Sequence, residues 1–184
     1  KYNGDGYTIS NLFISRAGTQ YIGLFGYTSS GCEIKDLGLE NVNFTGGDYT
    51  GGLIGMNRGT LRNCYSKGQI KSSTGYLAGG LVAYATTGSN IYDCYSNVEV
   101  TRSSGGAYQY VGGFCGYHGS GQIYRCYSTG AVHYEGATDP TNRGFTSYTP
   151  GSVSGNFWNT ETSGQLTSVG ATGLTKTQMR TLST

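Results

Sequence analysis

The polar and apolar positions of this chain follow two patterns that recur in a fixed order. The first is a short apolar block between glycines: Gly23-Leu24-Phe25-Gly26-Tyr27, Gly52-Leu53-Ile54-Gly55-Met56, Gly80-Leu81-Val82-Ala83-Tyr84, Gly113-Phe114-Cys115-Gly116-Tyr117 and, more degenerate, Gly144-Phe145-Thr146-Ser147-Tyr148. These copies begin 29, 28, 33 and 31 residues apart. The second pattern follows each of the first four: Ile34-Lys35-Asp36-Leu37, Leu61-Arg62-Asn63-Cys64-Tyr65-Ser66, Ile91-Tyr92-Asp93-Cys94-Tyr95-Ser96 and Ile123-Tyr124-Arg125-Cys126-Tyr127-Ser128. Val153-Ser154-Gly155-Asn156-Phe157-Trp158 is a degenerate fifth copy. From each Cys onward the residues alternate. Cys64, Ser66, Gly68 and Ile70 fall on one face, and Tyr65, Lys67 and Gln69 on the other. Cys94, Ser96, Val98, Val100 and Cys126, Ser128, Gly130, Val132 repeat the inward set. Period-two alternation predicts strands, and β-branched and aromatic enrichment between glycine-rich corners agrees. Because the inward residues are small, opposing walls are expected to lie close together.

Two motifs at a common period of about 30 residues imply a stack of coils, each burying its face only against its neighbours. The expected fold is all-β: a parallel β-solenoid of about five coils, right-handed by the usual crossover preference. Equivalent residues would stack about 4.8 Å apart, giving a rod of roughly 24 Å. A propeller of the WD type needs about 40 residues per blade, and Asn-Gly hairpin turns do not punctuate each coil. Gly4 to Ile14 reads as a lead-in strand. At the other end Thr175-Lys176-Thr177-Gln178 has capping-box spacing, and Leu174, Met179 and Leu182 fit one face of a short helix that would cover the last coil's edge. This divides the chain into repeats over 1–156 and an exit and cap over 157–184. The opening Lys1-Tyr2-Asn3-Gly4-Asp5-Gly6 reads like the middle of a turn, as expected of a sequence cut from a longer chain.

Composition narrows the class further. The 184 residues include 33 Gly and only 2 Pro, together about a fifth, below the quarter or more that marks low-complexity disorder. Glycine has no three-residue period, which excludes collagen. Net charge is only +2, and 17 Tyr supply apolar area, so a folded chain is expected. The charges are scattered singly, which disfavours nucleic acid and anionic lipid. No apolar run approaches the roughly 18 residues of a membrane-spanning helix, and the N-terminus lacks a signal peptide's apolar region.

The motifs resemble those of the GLUG-repeat family, whose Gly-Leu-aliphatic-Gly core is like Gly52-Leu53-Ile54-Gly55 and whose Asn-Cys-Tyr-Ser segment is like Asn63-Cys64-Tyr65-Ser66. The lead-in from Asn3 to Leu12 and the exit from Phe157 to Gly164 are also similar to segments that flank such repeats. The resemblance implies an exported, extracellular or cell-surface bacterial protein. It also implies a non-catalytic accessory role, as in adhesins and in metallopeptidases of the immunoglobulin A1 protease type. Three departures stand out: Ala83 replaces the second Gly of copy three, Arg125 the Asn of copy four, and Asn156 the Cys of copy five.

Candidate chemistry is sparse. Cys64, Cys94 and Cys126 share a column with Leu37, and Cys115 shares one with Phe25, Ile54 and Val82. Both slots are apolar, so buried free thiols are expected rather than a disulfide scaffold, in keeping with an odd count of five. His118 and His133 belong to no ligand cluster, and His-Glu-x-x-His is absent, so no zinc and no other cofactor is called for. Lys1 stands where a calcium loop needs its first acidic ligand.

Parallel β-helices also host polysaccharide lyases and glycoside hydrolases, which makes Asp36 and Asp93 the alternative reading's acid and base. They share a column with Asn63 between them, about 9.6 Å apart from strand spacing, near the inverting-glycosidase range. Asn and Asp at a recurring corner more commonly bond their own backbone and permit unusual φ values. No catalytic residue is assigned. Tyr65, Tyr95 and Tyr127 should face outward one above another and are the candidate ligand contacts, with host protein or glycan as partner. Tyr27, Tyr84, Tyr117 and Tyr148 form a second column around Met56. The linkers from Thr45 to Asp48, Lys71 to Gly75, Thr101 to Gln109 and His133 to Arg143 fall at one phase of the repeat. They are expected to project from one edge, the last of them polar and mobile.

Overall fold

The computed structural model describes residues 1–73, 76–103 and 110–181. Parts of the second and third linkers, and Leu182 of the expected helix face, lie outside these. Among the described residues the strands form three sheets, and every pair of paired strands runs parallel. The largest sheet carries the second motif. Its long strands Glu33–Gly46, Thr60–Ser72 and Tyr95–Arg102 are followed by Tyr127–Ser128 and Phe157–Asn159. The second sheet carries the first motif as Phe25–Thr28, Ile54–Asn57, Val82–Ala85, Cys115–His118 and Thr146–Tyr148. A narrow third sheet, Thr50–Gly51, Leu77–Gly79 and Tyr110–Gly112, joins them. The chain thus winds through a parallel β-solenoid of about five turns.

The register follows the repeat. Leu37 pairs with Cys64, and Tyr65 with Tyr95 and then Tyr127. Phe25, Ile54, Val82, Cys115 and Thr146 form one continuous column. The expected inward set is buried in the later copies, whereas Gly68 is half-buried at φ 133°, opposite a register shift between Leu39 and Val42. The core is the ladder of these apolar columns, and it includes the stacked rings of Phe114 and Phe145, 4.6 Å apart.

The two motifs occur together because they meet across the interior. Ser66 Oγ donates to Gly80 O at 2.7 Å, and Ser128 Oγ to Gly144 O at 2.6 Å. A Cβ on Gly80 would lie 2.1 Å from Ser96 Oγ and 2.2 Å from Gly113 O. The first glycine of one motif therefore faces the serine of the other, with no room for a side chain. Each Asn-Cys corner turns through a left-handed residue: φ is 54° at Asp36, 51° at Asn63, 56° at Asp93 and 55° at Arg125. Asn and Asp tolerate that conformation better than other non-glycine residues. Arg125 does not share that advantage, and its guanidinium instead grips Asp93 through two 2.7 Å bonds.

The ends depart from expectation. The helix Lys176–Thr181 forms with the anticipated capping box, Gln178 N donating to Thr175 Oγ1 and Thr175 N to Gln178 Oε1. It buries no residue, so it does not cover the last coil. That task falls to the preceding segment, whose polar side chains saturate the last coil's backbone. Gln165 Oε1 accepts from Arg143 N at 2.8 Å, and Ser168 Oγ accepts from Phe145 N at 2.7 Å. Thr172–Leu174 then adds a strand beside Phe157–Asn159. In the fifth copy the Asn156 amide takes the cysteine position, accepting from Cys126 N at 3.0 Å and donating to Ile123 O at 2.8 Å. The linkers share one phase as expected, since Thr45, Lys71, Thr101 and His133 lie in register. The long one, expected to be mobile, is tied down: Asp139 bonds His133 and Tyr134 N, and Glu135 bonds Lys71 and Ser103.

Candidate functional site: two tyrosine faces and a groove

The alternation of the Cys-Tyr-Ser segment turns Tyr65, Tyr95 and Tyr127 outward on consecutive coils, and the rings stack. Tyr65 and Tyr95 lie 4.7 Å apart at 4° between planes, and Tyr95 and Tyr127 4.9 Å apart at 2°. Parallel stacking at the strand spacing uses up the ring faces, so this ladder offers solvent mainly edges and hydroxyls. Its lower end is closed. Tyr65 lies over Gly38, where any Cβ would strike the ring, and its hydroxyl donates to Glu40 Oε1 at 2.9 Å beside Lys67. The Lys67 ammonium sits 5.0 Å from the Tyr65 ring centre. Its upper end is open. Phe157 continues the column beyond Tyr127, a continuation the degenerate fifth motif did not make obvious.

Between Tyr127, Phe157 and the C-terminal helix lies a groove of about 790 Å³. Arg125, Lys176 and Arg180 line it together with Met179, Asn97 and Thr129, and no carboxylate does among the described residues.

The second tyrosine face is larger than the expected column. Tyr21 and Tyr49 stack 4.7 Å apart, Tyr49 lies 6.1 Å from Tyr84, and Tyr84 meets Tyr117 edge-on at 5.2 Å. Tyr117 then contacts Tyr110 and Tyr148, each at 4.9 Å, and Tyr110 touches Tyr76. Tyr21, Tyr49, Tyr76 and Tyr110 lie outside the first motif and were missed from sequence. They reach this face because the narrow third sheet brings the linker ends beside the first-motif strands. The second glycine of the motif permits that approach: a Cβ on Gly116 would lie 2.6 Å from Tyr110 O, and one on Gly55 2.8 Å from Tyr49 O. Tyr21 and Tyr49 are themselves left-handed, at φ 59° and 60°, a strained state for an aromatic residue. Unlike the ladder, these rings meet at angles from 18° to 89°, leaving faces open. Tyr148 is 46% and Tyr21 39% exposed. Burial raises the Tyr49 and Tyr117 hydroxyl pKa values, keeping both as neutral donors.

The remaining candidates are structural in their contacts. Asp36 accepts from Asn63 Nδ2 at 2.8 Å and Asp93 is held by Arg125, and these bonds lower both carboxyl pKa values. All five cysteines are free thiols; Cys64, Cys94, Cys115 and Cys126 are buried and Cys32 half-buried. His118 is held neutral by burial, its pKa lowered to about 4, while His133 pairs with Asp139 at 2.9 Å. No group of three or more His, Cys, Asp or Glu is gathered at metal-binding range among the described residues.

Fold and faces together define a parallel β-solenoid repeat module. The GLUG motif matches residues 74–101 and 107–132, the third and fourth copies of the repeat. Those two stretches carry the GLUG motif. An 80-residue stretch is 39% identical to Halomucin of Haloquadratum walsbyi (strain DSM 16790 / HBSQ001), covering 44% of this chain and 1% of that protein. No solved structure matches. The motif and this relative are those of a surface-associated repeat module.

Proposed function

We propose that this chain is a non-catalytic recognition module of an exported surface protein, and that it binds its partner through the face formed by Tyr21, Tyr49, Tyr84, Tyr117 and Tyr148. The observation that carries this reading is the connected network of partly exposed rings meeting at open angles. Tyrosines supply large amphipathic contact area at low conformational cost, and such residues concentrate where proteins bind proteins or glycans. The stacked ladder stiffens the opposite wall and contributes edges and hydroxyls. The finer setting, a bacterial adhesin or an accessory module of an immunoglobulin A1 protease-type protein, is part of this proposal and is supported by the motif resemblance.

The carboxylates favour this reading over a polysaccharide-processing one. A general acid needs a raised pKa, and both Asp36 and Asp93 are lowered by the partners that clasp them.

The test is binding of the chain to glycan and host-protein arrays beside two variants, Tyr84→Ala with Tyr117→Ala, and Tyr65→Ala with Tyr95→Ala. Saturable binding lost in the first and kept in the second is the expected result. The opposite pattern would move the contact to the ladder, and no binding by the unaltered chain would leave a passive spacer.

A further inference from the structure

We infer that a second groove, on the second-motif wall near the first coil, binds a neutral, hydroxyl-rich oligosaccharide. The inference does not rest on the tyrosine network, which lies on the first-motif wall. Backbone geometry, unpaired side chains and charge each point to this ligand.

The groove is built by a bulge. Two residues of Glu33–Gly46, Glu40 and Asn41, stand opposite the single Lys67, so the register shifts between Leu39 and Val42. The first coil makes the same detour at Asn11, and both asparagines are left-handed, at φ 61° and 54°. The next coil carries Gly68 at the step. A Cβ there would lie 2.2 Å from Val42 O, so no side chain fills the space. Bulges re-aim side chains in this way beside binding sites. The resulting groove holds about 420 Å³, within the range of small-ligand sites.

Its side chains are unpaired. Phe13, Asn43, Gln69 and Glu99 form one outward column on four consecutive coils, spanning about 14 Å at the strand spacing. The columns on either side are paired within the protein, Lys67 with Glu40 and Lys71 with Glu135. The side chains of Asn43, Gln69 and Glu99 have no hydrogen-bonding or charged partner among the described residues. Asn41 Nδ2 donates to Asn11 Oδ1 at 2.7 Å, which leaves Asn41 Oδ1 and Asn11 Nδ2 available. Phe13, at the end of the column, is 70% exposed.

Those groups select a class of ligand. Each sugar hydroxyl both donates and accepts, amides offer both partners side by side, and a carboxylate accepts. An exposed ring gives the apolar C–H side of a pyranose a face to lie on. Among the described residues no Lys, Arg or His lines the groove and Glu99 is its single carboxylate, so an anionic ligand finds no counter-charge. An extended peptide has better places to dock. Phe13–Ser15 and Thr172–Leu174 are each paired on one side only, and such edges accept an added strand. Asn43, Gln69 and Glu99 stand instead on strands paired on both sides.

The test is titration of the isotope-labelled chain with cellohexaose and with mannohexaose, followed by amide chemical shifts, which locate the contact. The expected result is saturable shifts at Phe13, Asn43, Gln69 and Glu99 with at least one of the two sugars, unchanged by Tyr84→Ala with Tyr117→Ala. Phe13→Ala, and Gln69→Ala with Glu99→Ala, all at exposed positions, should each weaken binding about tenfold or more. Glu99→Gln keeps hydrogen bonding and drops the charge, so affinity should stay within about threefold. Raising salt from about 50 to 300 mM should change it little. Circular dichroism checks that each variant keeps its fold. Any of five results would overturn the site: no binding of either sugar, shifts confined to other residues, binding unaffected by Phe13→Ala and by the double variant, loss of binding in Glu99→Gln, or tighter binding of hexagalacturonate or of a cationic chitosan hexamer. Shifts at the tyrosine network alone would support that face and remove this one, so the two proposals fail separately.

Discussion

The two tyrosine faces use the same side chain on the same solenoid and reach opposite results. On the second-motif wall, one residue per coil stands in one column of one continuous sheet. The rings repeat at the strand spacing and close upon one another, within 4° of parallel. On the first-motif wall, rings arrive from two sheets and from different columns. Their orientations vary, from 18° between the stacked Tyr21 and Tyr49 to 89° between Tyr84 and Tyr117. A single column of identical residues stacks into a self-satisfied spine, whereas converging columns leave open ring faces. Abundance of tyrosine alone does not make a binding surface, and what matters is how many columns converge.

The most disruptive test removes the scaffold that both faces share. Gly80→Val places a branched side chain against Ser96 Oγ and Gly113 O. It should destabilise the fold by about 4 kcal/mol or more, read by urea unfolding, with both faces lost in one transition. Partial unfolding confined to one wall would show that the faces are independent.

Alkaline pH distinguishes the walls from within, because Cys64 and Cys94 lie behind the ladder and Cys115 behind the first-motif strands. Burial pushes the Cys115 thiol up to about 12 and raises Cys94, while the hydrogen bond with Cys94 and then burial raise Cys64. Below pH ~9 these thiols are protonated in both states and stability is fully present. Above it the unfolded chain loses protons that the folded chain keeps, so stability should fall by about 1.4 kcal/mol per pH unit for each thiol up to about pH 12. In unfolding measured from pH 8 to 11, Cys115→Ala should flatten the slope by one thiol's share and Cys94→Ala by at least as much, since it also removes the hydrogen bond that raises Cys64. An unchanged slope would mean that the thiols ionise in place. At neutral pH only Cys32 should react with a thiol reagent without unfolding.

Single-ring removal sharpens the contrast. Tyr95→Ala deletes a ring stacked on both sides and should cost about 1–3 kcal/mol, while Tyr127→Ala, at the ladder end, should cost less. A double-mutant cycle between Tyr65 and Tyr95 should give a coupling of about 0.5–1.5 kcal/mol; a coupling near zero would deny the ladder its structural role. The smallest effect is expected at the corner beside the ladder. Arg125→Asn replaces a left-handed arginine with a residue suited to that conformation and gives up an exposed ion pair. The two changes nearly cancel, leaving stability within about 1 kcal/mol of the parent. A larger loss would show that the grip of Arg125 on Asp93 holds the corner.

Much of this was legible along the chain. The period, the two motifs and their columns led to the solenoid, to Leu37 beside Cys64, to the ladder and to the left-handed corner at Asn63. The capping box was visible as four residues. Other features were not, and each depends on residues far apart in the repeat. Gln165 and Ser168 lie in the exit segment, outside both motifs, yet they bond the backbone of the last coil. Tyr21, Tyr49, Tyr76 and Tyr110 carry no repeat signature, yet they complete the second face.

The sequence by itself determined which residues stack on which, because a parallel in-register solenoid is nearly one-dimensional: a repeat of about 30 residues assigns every position its neighbours above and below. Only the tertiary structure decided which columns meet around the cross-section. That depends on how sharply each corner turns and how closely the walls approach, here to the contact of a serine hydroxyl with a glycine carbonyl. Contacts along the axis follow from periodicity, whereas contacts across it follow from closure of the coil, and the open faces and the groove belong to the second kind.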